Sequence, residues 1–151
     1  MSQNCLQNLR VLIVEDVNAI RSLVRRIVTG LGASEVHDAA DVASAWTALD
    51  AAPFDVMLLD YELNGEDGLS ILEDLRLRAD HPNSDIAVVV LTGHAEAHVV
   101  TEAVQKGADA YLVKPVAPDV LGKRIVQVLE SRNDHGRGAP VSEVVWRRSN
   151  N

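Results

Sequence analysis

Residues 56–60 read Val56-Met57-Leu58-Leu59-Asp60, four bulky apolar side chains in a row that end in a single carboxylate. A stretch that is apolar at every position, rather than at every second one, predicts a strand covered on both faces, as in parallel α/β sheets. Such sheets bind their ligands at the carboxyl ends of the strands, and Asp60 falls at that end. Taken alone, Asp60 equally fits a residue that opens a turn.

Working outward, the sequence alternates between two periodicities. Arg10 to Val14 reads as a strand and ends in Glu15-Asp16, a second place where charge follows an apolar run. Asn18 is placed to cap a helix with Ile20, Leu23, Val24, Ile27 and Leu31 on one stripe, closed by Gly32. Val36 and its neighbours predict a short, weak strand, and Asp41 caps a helix with Val42, Ala45, Trp46 and Leu49 facing inward. Trp46 on that stripe reads as packing rather than a ligand platform. The central strand spans about Phe54 to Asp60. Asn64-Gly65-Glu66-Asp67-Gly68 is loop chemistry rich in residues that tolerate positive φ. A third helix carries Leu69, Leu72 and Leu75 inward, with Arg76, Arg78 and Asp80 outward. Ile86 to Leu91 is a fourth buried run, stopped by Thr92-Gly93. Ala95 to Lys106 predicts a weakly amphipathic helix ended by Gly107, and Ala110 to Val113 a fifth strand stopped by Lys114-Pro115. Asp119 to Arg132 is the last helix, with Leu121, Ile125, Val128 and Leu129 on one face. Five βα units in alternation predict a doubly wound, five-stranded parallel sheet with helices on both faces, the flavodoxin-like (βα)5 arrangement.

Composition narrows the function. The 151 residues are 47% apolar and 3% aromatic, which suits a core packed from Val, Leu and Ala. The net charge is −8, and residues 1–131 hold 20 acidic against 10 basic groups. An acidic body does not invite direct nucleic-acid binding, which needs clustered Lys and Arg. The single cysteine, Cys5, excludes an internal disulfide and a cysteine-cluster zinc site. No stretch reaches the ~20 apolar residues that span a bilayer, so the expectation is a cytoplasmic protein with no membrane partner.

The pattern gathers Glu15, Asp16, Asp60, Thr92 and Lys114 at one rim, because all strand ends of a parallel sheet share an edge. Glu15 and Asp16 taken alone fit acids at a helix start, Thr92 a turn, and Lys114 a solvated surface lysine. Their joint appearance at four strand ends makes that set of separate explanations improbable. Three crowded carboxylates repel unless a cation lies between them, and hard oxygen ligands suit Mg²⁺. With Lys114 and the Thr92 hydroxyl, they form a pocket for a small oxyanion beside a metal, an arrangement suited to phosphoryl transfer to a carboxylate.

In these residues the chain resembles the CheY-like receiver domains of two-component response regulators over about residues 9–131. The likeness is carried by Val-Leu-Ile-Val-Glu15-Asp16, Val-Met-Leu-Leu-Asp60, Asp67-Gly68, Leu91-Thr92-Gly93 and Gly107-Ala-Asp-Ala-Tyr111-Leu-Val-Lys114-Pro115. It implies that Asp60 accepts a phosphoryl group from a histidine kinase or a histidine phosphotransfer protein. Glu15, Asp16, Asp60 and the backbone carbonyl of Glu62 would hold Mg²⁺ or Mn²⁺. Lys114 would contact the phosphoryl oxygens ahead of a cis bond to Pro115. Thr92 would donate to the phosphoryl group, and Tyr111 would turn inward behind it. The output would be a change in partner binding at the fourth helix, fifth strand and fifth helix, with the downstream partner unspecified and a homodimer left open. The chain would promote only its own phosphorylation and dephosphorylation.

Departures from the family pattern carry further expectations. Asn64 stands where a proline is common, which is expected to loosen the loop. Glu62 and His94, two residues past Asp60 and Thr92, flank the path of an attacking water and are expected to tune the lifetime of the phosphorylated state. Two other readings are carried: a receiver-like scaffold that is never phosphorylated, and an aspartyl-phosphate phosphatase of haloacid-dehalogenase type. The phosphatase wants an acid two residues past its nucleophile as an Asp, and here Glu62 occupies that place. Residues 1–8 read as a lead, 9–132 as the receiver unit and 133–151 as a tail, either flexible or a short element that docks through Val144, Val145 and Trp146.

Overall fold

The structure is a computed structural model, and it describes residues 5–93 and 96–135. Five parallel strands form the sheet: β1 (Arg10–Val14), β2 (Glu35–Ala39), β3 (Val56–Asp60), β4 (Ala87–Thr92) and β5 (Ala110–Val113). Their order is β2-β1-β3-β4-β5, which puts the Asp60 strand at the centre and next to β1. Among the described residues, four helices connect them, α1 (Asn18–Gly30), α2 (Val42–Ala51), α3 (Leu69–Leu77) and α4 (Ala97–Gln105), and α5 (Pro118–His135) follows the last strand.

Strand periodicity sorts the core into two halves. Val11, Ile13, Val56, Leu58, Val89 and Leu91 pack with Val24, Ile27 and Val28 of α1 and Leu121, Ile125 and Val128 of α5. The alternate residues Leu12, Val14, Met57, Leu59, Val88 and Val90 pack with Leu49 of α2, Leu69, Leu72 and Leu75 of α3, and Ala103 of α4. Every residue of β3 and β4 is buried, which is why those runs are apolar without alternation. β2 is an edge strand and mostly exposed.

Several local expectations are corrected. Asn18 is the first helical residue rather than the cap: Val17 holds the cap position, and the Asn18 Oδ1 accepts from Arg21 at 2.6 Å. Leu23 is 45% exposed, and Val28 takes its place in the buried stripe. The helix ends at Gly30 with Leu31 as its cap, and Gly32, at a φ of 100°, turns the chain just beyond it. Asp41 caps α2 through the Ser44 amide, and Ser44 answers with its hydroxyl. Trp46 is half-buried against the core, with the Arg78 guanidinium 4.2 Å above its ring. The segment read as an N-terminal lead is packed in: Leu6 is fully buried and its N–H bonds to Leu31. α5 runs to His135, three residues past the boundary expected at Arg132.

Arg76 is not outward. Its guanidinium donates to the carbonyls of Gly107 and Ser84 and pairs with Asp109 at 3.4 Å. Asp109 is buried, accepts from the Val88 amide at 2.8 Å and pairs with Arg132 of α5 at 2.8 Å. This network ties α3, β4, β5 and α5 together at the end of the sheet opposite Asp60. Removing one partner of a buried charge leaves the other uncompensated, so Arg76→Ala is expected to cost about 2–4 kcal/mol in urea unfolding. A loss below about 0.5 kcal/mol, the range of plain surface substitutions, would contradict a structural role for the pair.

Candidate functional site

The carboxyl ends of β1, β3, β4 and β5 bring Glu15, Asp16, Asp60, Thr92 and Lys114 to one edge, as parallel registers across neighbouring strands require. Asp16, Asp60, Glu62, Thr92 and Lys114 line a cleft of about 290 Å³ there. The Lys114 ammonium lies 2.7 Å from Glu15 and 2.9 Å from Asp60, bridging two carboxylates contributed by different strands. Glu15 is fully buried and Asp60 is 6% exposed. The second oxygen of Glu15 accepts from the Val17 amide at 3.1 Å, so the start of α1 shares in holding it. Lys114 precedes a cis bond to Pro115, and its own amide donates to the Thr92 carbonyl at 2.8 Å.

The β3–α3 connection is more ordered than its composition implies. Asn64 and Gly65 have φ of 53° and 81°, both left-handed, and close a small hairpin of Glu62–Leu63 with Glu66–Asp67. An Asn-Gly pair with both residues at positive φ is the two-residue hairpin turn that follows strand twist. In place of the common proline, the Asn64 amide donates to Asp16 at 3.0 Å, a bond proline cannot make. Gly68 is required by contact, since a Cβ there would stand 2.0 Å from the Asp60 carbonyl oxygen. Tyr61, directly after Asp60, donates its hydroxyl to Glu102 of α4 at 3.0 Å, and Lys106 bridges Glu102 and Asp67. Neither the Asn64 nor the Tyr61 contact was anticipated from sequence, although the Asn-Gly dipeptide carried the signal for the first.

Other expected residues fall as follows. Thr92 is buried at the end of β4. Tyr111 is half-buried and packs against the core on the α2–α4 side of the sheet. Glu62 is exposed on the hairpin. His94 lies outside the described residues, as do residues 136–151 of the tail.

Among the described residues, Glu15, Asp16 and Asp60 offer carboxylate oxygens that all lie within 4.8 Å of one another. All-oxygen donors of this kind fit a hard divalent cation. The electrostatics fit as well. Burial is the largest influence on Asp60 and pushes its carboxyl from 3.8 up to about 7; the Lys114 ammonium opposes that rise and Glu15 adds to it. One lysine thus leaves excess negative charge at the rim, which a cation would offset. Burial works to lower the Lys114 ammonium, but its bonds to Glu15 and Asp60 outweigh this and raise it. At Asp16 modest burial works upward, and hydrogen bonds led by the Asn64 amide bring the carboxyl below its ordinary value.

A doubly wound sheet with an acid-and-lysine rim at its switch point defines a class of small α/β domains that handle anions and cations at strand ends. The sequence pattern of the response regulator receiver domain family matches residues 11–126, and the chain belongs to that family. The chemotaxis protein CheY-3 of Vibrio cholerae is 28% identical over 124 residues, covering 82% of this chain and 94% of that protein. A CheY-like receiver domain protein of Methanospirillum hungatei superposes with a TM-score of 0.74 at 29% identity, over 86% of this chain and all of the other. A response regulator of Burkholderia pseudomallei, solved with a phosphorylated aspartic acid, calcium ion and citrate, gives a TM-score of 0.71 at 25% identity, over 84% of this chain and 71% of that one. The fold and family thus make this a receiver domain of CheY-like signalling type.

The raised Asp60 carboxyl has a consequence for stability. A folded value above the unfolded one means that the folded form holds the extra proton, so this contribution is complete below about pH 4 and is lost as pH rises through about 7. In metal-free buffer, Asp60→Asn is expected to gain on the wild type as pH rises, by on the order of 2 kcal/mol at pH 8. A difference in urea midpoint that stays constant between pH 4 and pH 8 would contradict the desolvation account.

Proposed function

We propose that the protein is a phosphorylation-dependent switch in which Asp60 accepts a phosphoryl group from a phosphohistidine on a kinase or phosphotransfer protein. The observation that carries this reading is the Lys114 ammonium held between Glu15 and Asp60 with Asp16 beside them, in a cleft open to solvent. An Asp60 oxygen forms the new P–O bond as the P–N bond of the donor breaks, and the electron pair returns to the imidazole nitrogen. Lys114 faces the equatorial oxygens of the transferring group, where its charge counts most because the rim is desolvated. Glu15, Asp16, Asp60 and the Glu62 carbonyl would hold Mg²⁺ or Mn²⁺, which when bound neutralises charge on the phosphoryl oxygens.

An aspartyl phosphate adds acceptor oxygens beside Thr92. The Thr92 hydroxyl donates to them, and Tyr111 rearranges behind it, biasing the face formed by α4, β5 and α5. α4 buries only Val99 and Ala103, so movement there costs little packing. The phosphodonor would seat beside Lys114, where Ile20, Leu23, Val24 and Val116 line an apolar groove and Val17 and Leu23 stand exposed. Among the described residues no helix is long and apolar enough to cross a membrane, which is compatible with a cytoplasmic partner.

Incubation with acetyl phosphate and Mg²⁺ is expected to add one phosphoryl mass to the wild type and none to Asp60→Asn. In the same assay Glu62→Asn is expected to change the decay rate by at least about twofold, through altered access of water to the acyl phosphate. No mass gain, with a control receiver labelled in parallel, would favour the scaffold reading. Sustained phosphate release over many turnovers would favour a phosphatase.

A further inference from the structure

Lys114 reaches Glu15 and Asp60, whereas Asp16 is the half-exposed member of the acidic group. A carboxylate at a solvent-facing rim, beside two others, is repelled outward unless something directs it. The group directing Asp16 comes from the far side of Asp60 in sequence: the backbone N–H of Asn64, 3.0 Å from Oδ2. The hairpin presenting this donor is fixed at both ends. Leu63 is fully buried, Asp67 accepts from the Leu69 amide at the start of α3, and Gly68 packs on the Asp60 carbonyl. The turn itself holds Asn64 at a φ of 53°, a value that Asn and Gly tolerate and proline cannot reach.

We propose that the Asn64-Gly65 turn is a positioning device for the metal site: its N–H orients the Asp16 carboxylate toward Glu15 and Asp60, so that the three carboxylates face a divalent cation together. This rests on the reading of that rim as a Mg²⁺ site. The bond engages Oδ2 of Asp16, and an Asp16 carboxylate oxygen lies within 4.8 Å of oxygens of Glu15 and Asp60. Holding a ligand in place before binding removes an ordering cost that would otherwise weaken affinity. It also makes the β3–α3 loop, which begins at the phosphoacceptor strand, part of the cation's support.

The test is calorimetric titration of the full chain with Mg²⁺, comparing wild type, Asn64→Gly and Asn64→Pro. Asn64→Gly keeps both the N–H and access to positive φ, and is expected to bind within about twofold of wild type. Asn64→Pro removes both, and is expected to bind about five- to tenfold more weakly, the loss of one hydrogen bond to a charged group at a partly solvated site. Equal or tighter binding by a folded Asn64→Pro would overturn the proposal, as would equal weakening in the Gly variant. Should the Pro variant not fold, hydrogen exchange decides: the Asn64 amide should exchange more slowly than that of Gly65, and Asp16→Ala should abolish the protection. Unprotected Asn64 in the wild type would overturn the contact itself. A wild type that binds no Mg²⁺ would overturn the metal reading beneath the proposal, an outcome distinct from weakened binding in one variant.

Discussion

The bridge from Lys114 to Glu15 and Asp60 is the constraint on which the rim depends. Two carboxylates lie buried at the ends of adjacent strands, and burying such charges without a partner costs several kcal/mol each. The lysine offsets part of that cost, and the backbone amide of Val17 offsets more at Glu15. The remainder appears as the upward shift of Asp60. A site left in this state has a residual affinity for positive charge, and a residual tolerance for the proton in its absence. Both follow from placing Glu15 and Asp60 where the strand ends leave them little solvent.

The two ends of the sheet solve the problem of buried charge differently. At the amino ends, Asp109 meets Arg76, Arg132 and the Val88 amide, and Arg132 also pairs with Asp85, so two arginines face two aspartates in a set that joins four elements. At the carboxyl ends Lys114 pairs with two of three clustered acids, Glu15 and Asp60, and among the described residues leaves Asp16 without an ammonium partner. The balanced end suits a fixed foundation, and the unbalanced end a site that exchanges ligands. Asn83 adds to the first by accepting from the Phe54 amide and donating to the carbonyls of Leu49 and Ala52, so both donors of a buried amide tie the end of α2 to the approach to β3.

The fold was legible because β3 and β4 are apolar at every position and the intervening helices keep a 3.6-residue stripe. The rim was legible for a topological reason: parallel strands force Glu15, Asp60, Thr92 and Lys114 together however far apart they lie in the chain. What escaped the sequence depends on contacts without period. Arg76 sits on the polar side of its helix by pattern, yet folds back onto Gly107, whose φ of 107° turns its carbonyl region toward the guanidinium. Leu23 has the spacing of a core residue, but lies beside the apolar groove near Lys114. Asn64 and Gly65 show positive-φ loop chemistry in the sequence, but the two-residue turn they form and its bond to Asp16 depend on a contact that has no period.

The chemistry of the rim turns most directly on the charge state of Asp60. Carbon-13 NMR of the side-chain carboxyl, titrated with pH in the presence and absence of Mg²⁺, measures it in the unmodified chain. A midpoint near 7 is expected without metal, reflecting burial beside Glu15, and a drop of at least about one unit when Mg²⁺ is saturating, the direction an added cation imposes. A midpoint near the ordinary carboxylate value that ignores Mg²⁺ would contradict this, because the rim would then be neither desolvated nor short of positive charge.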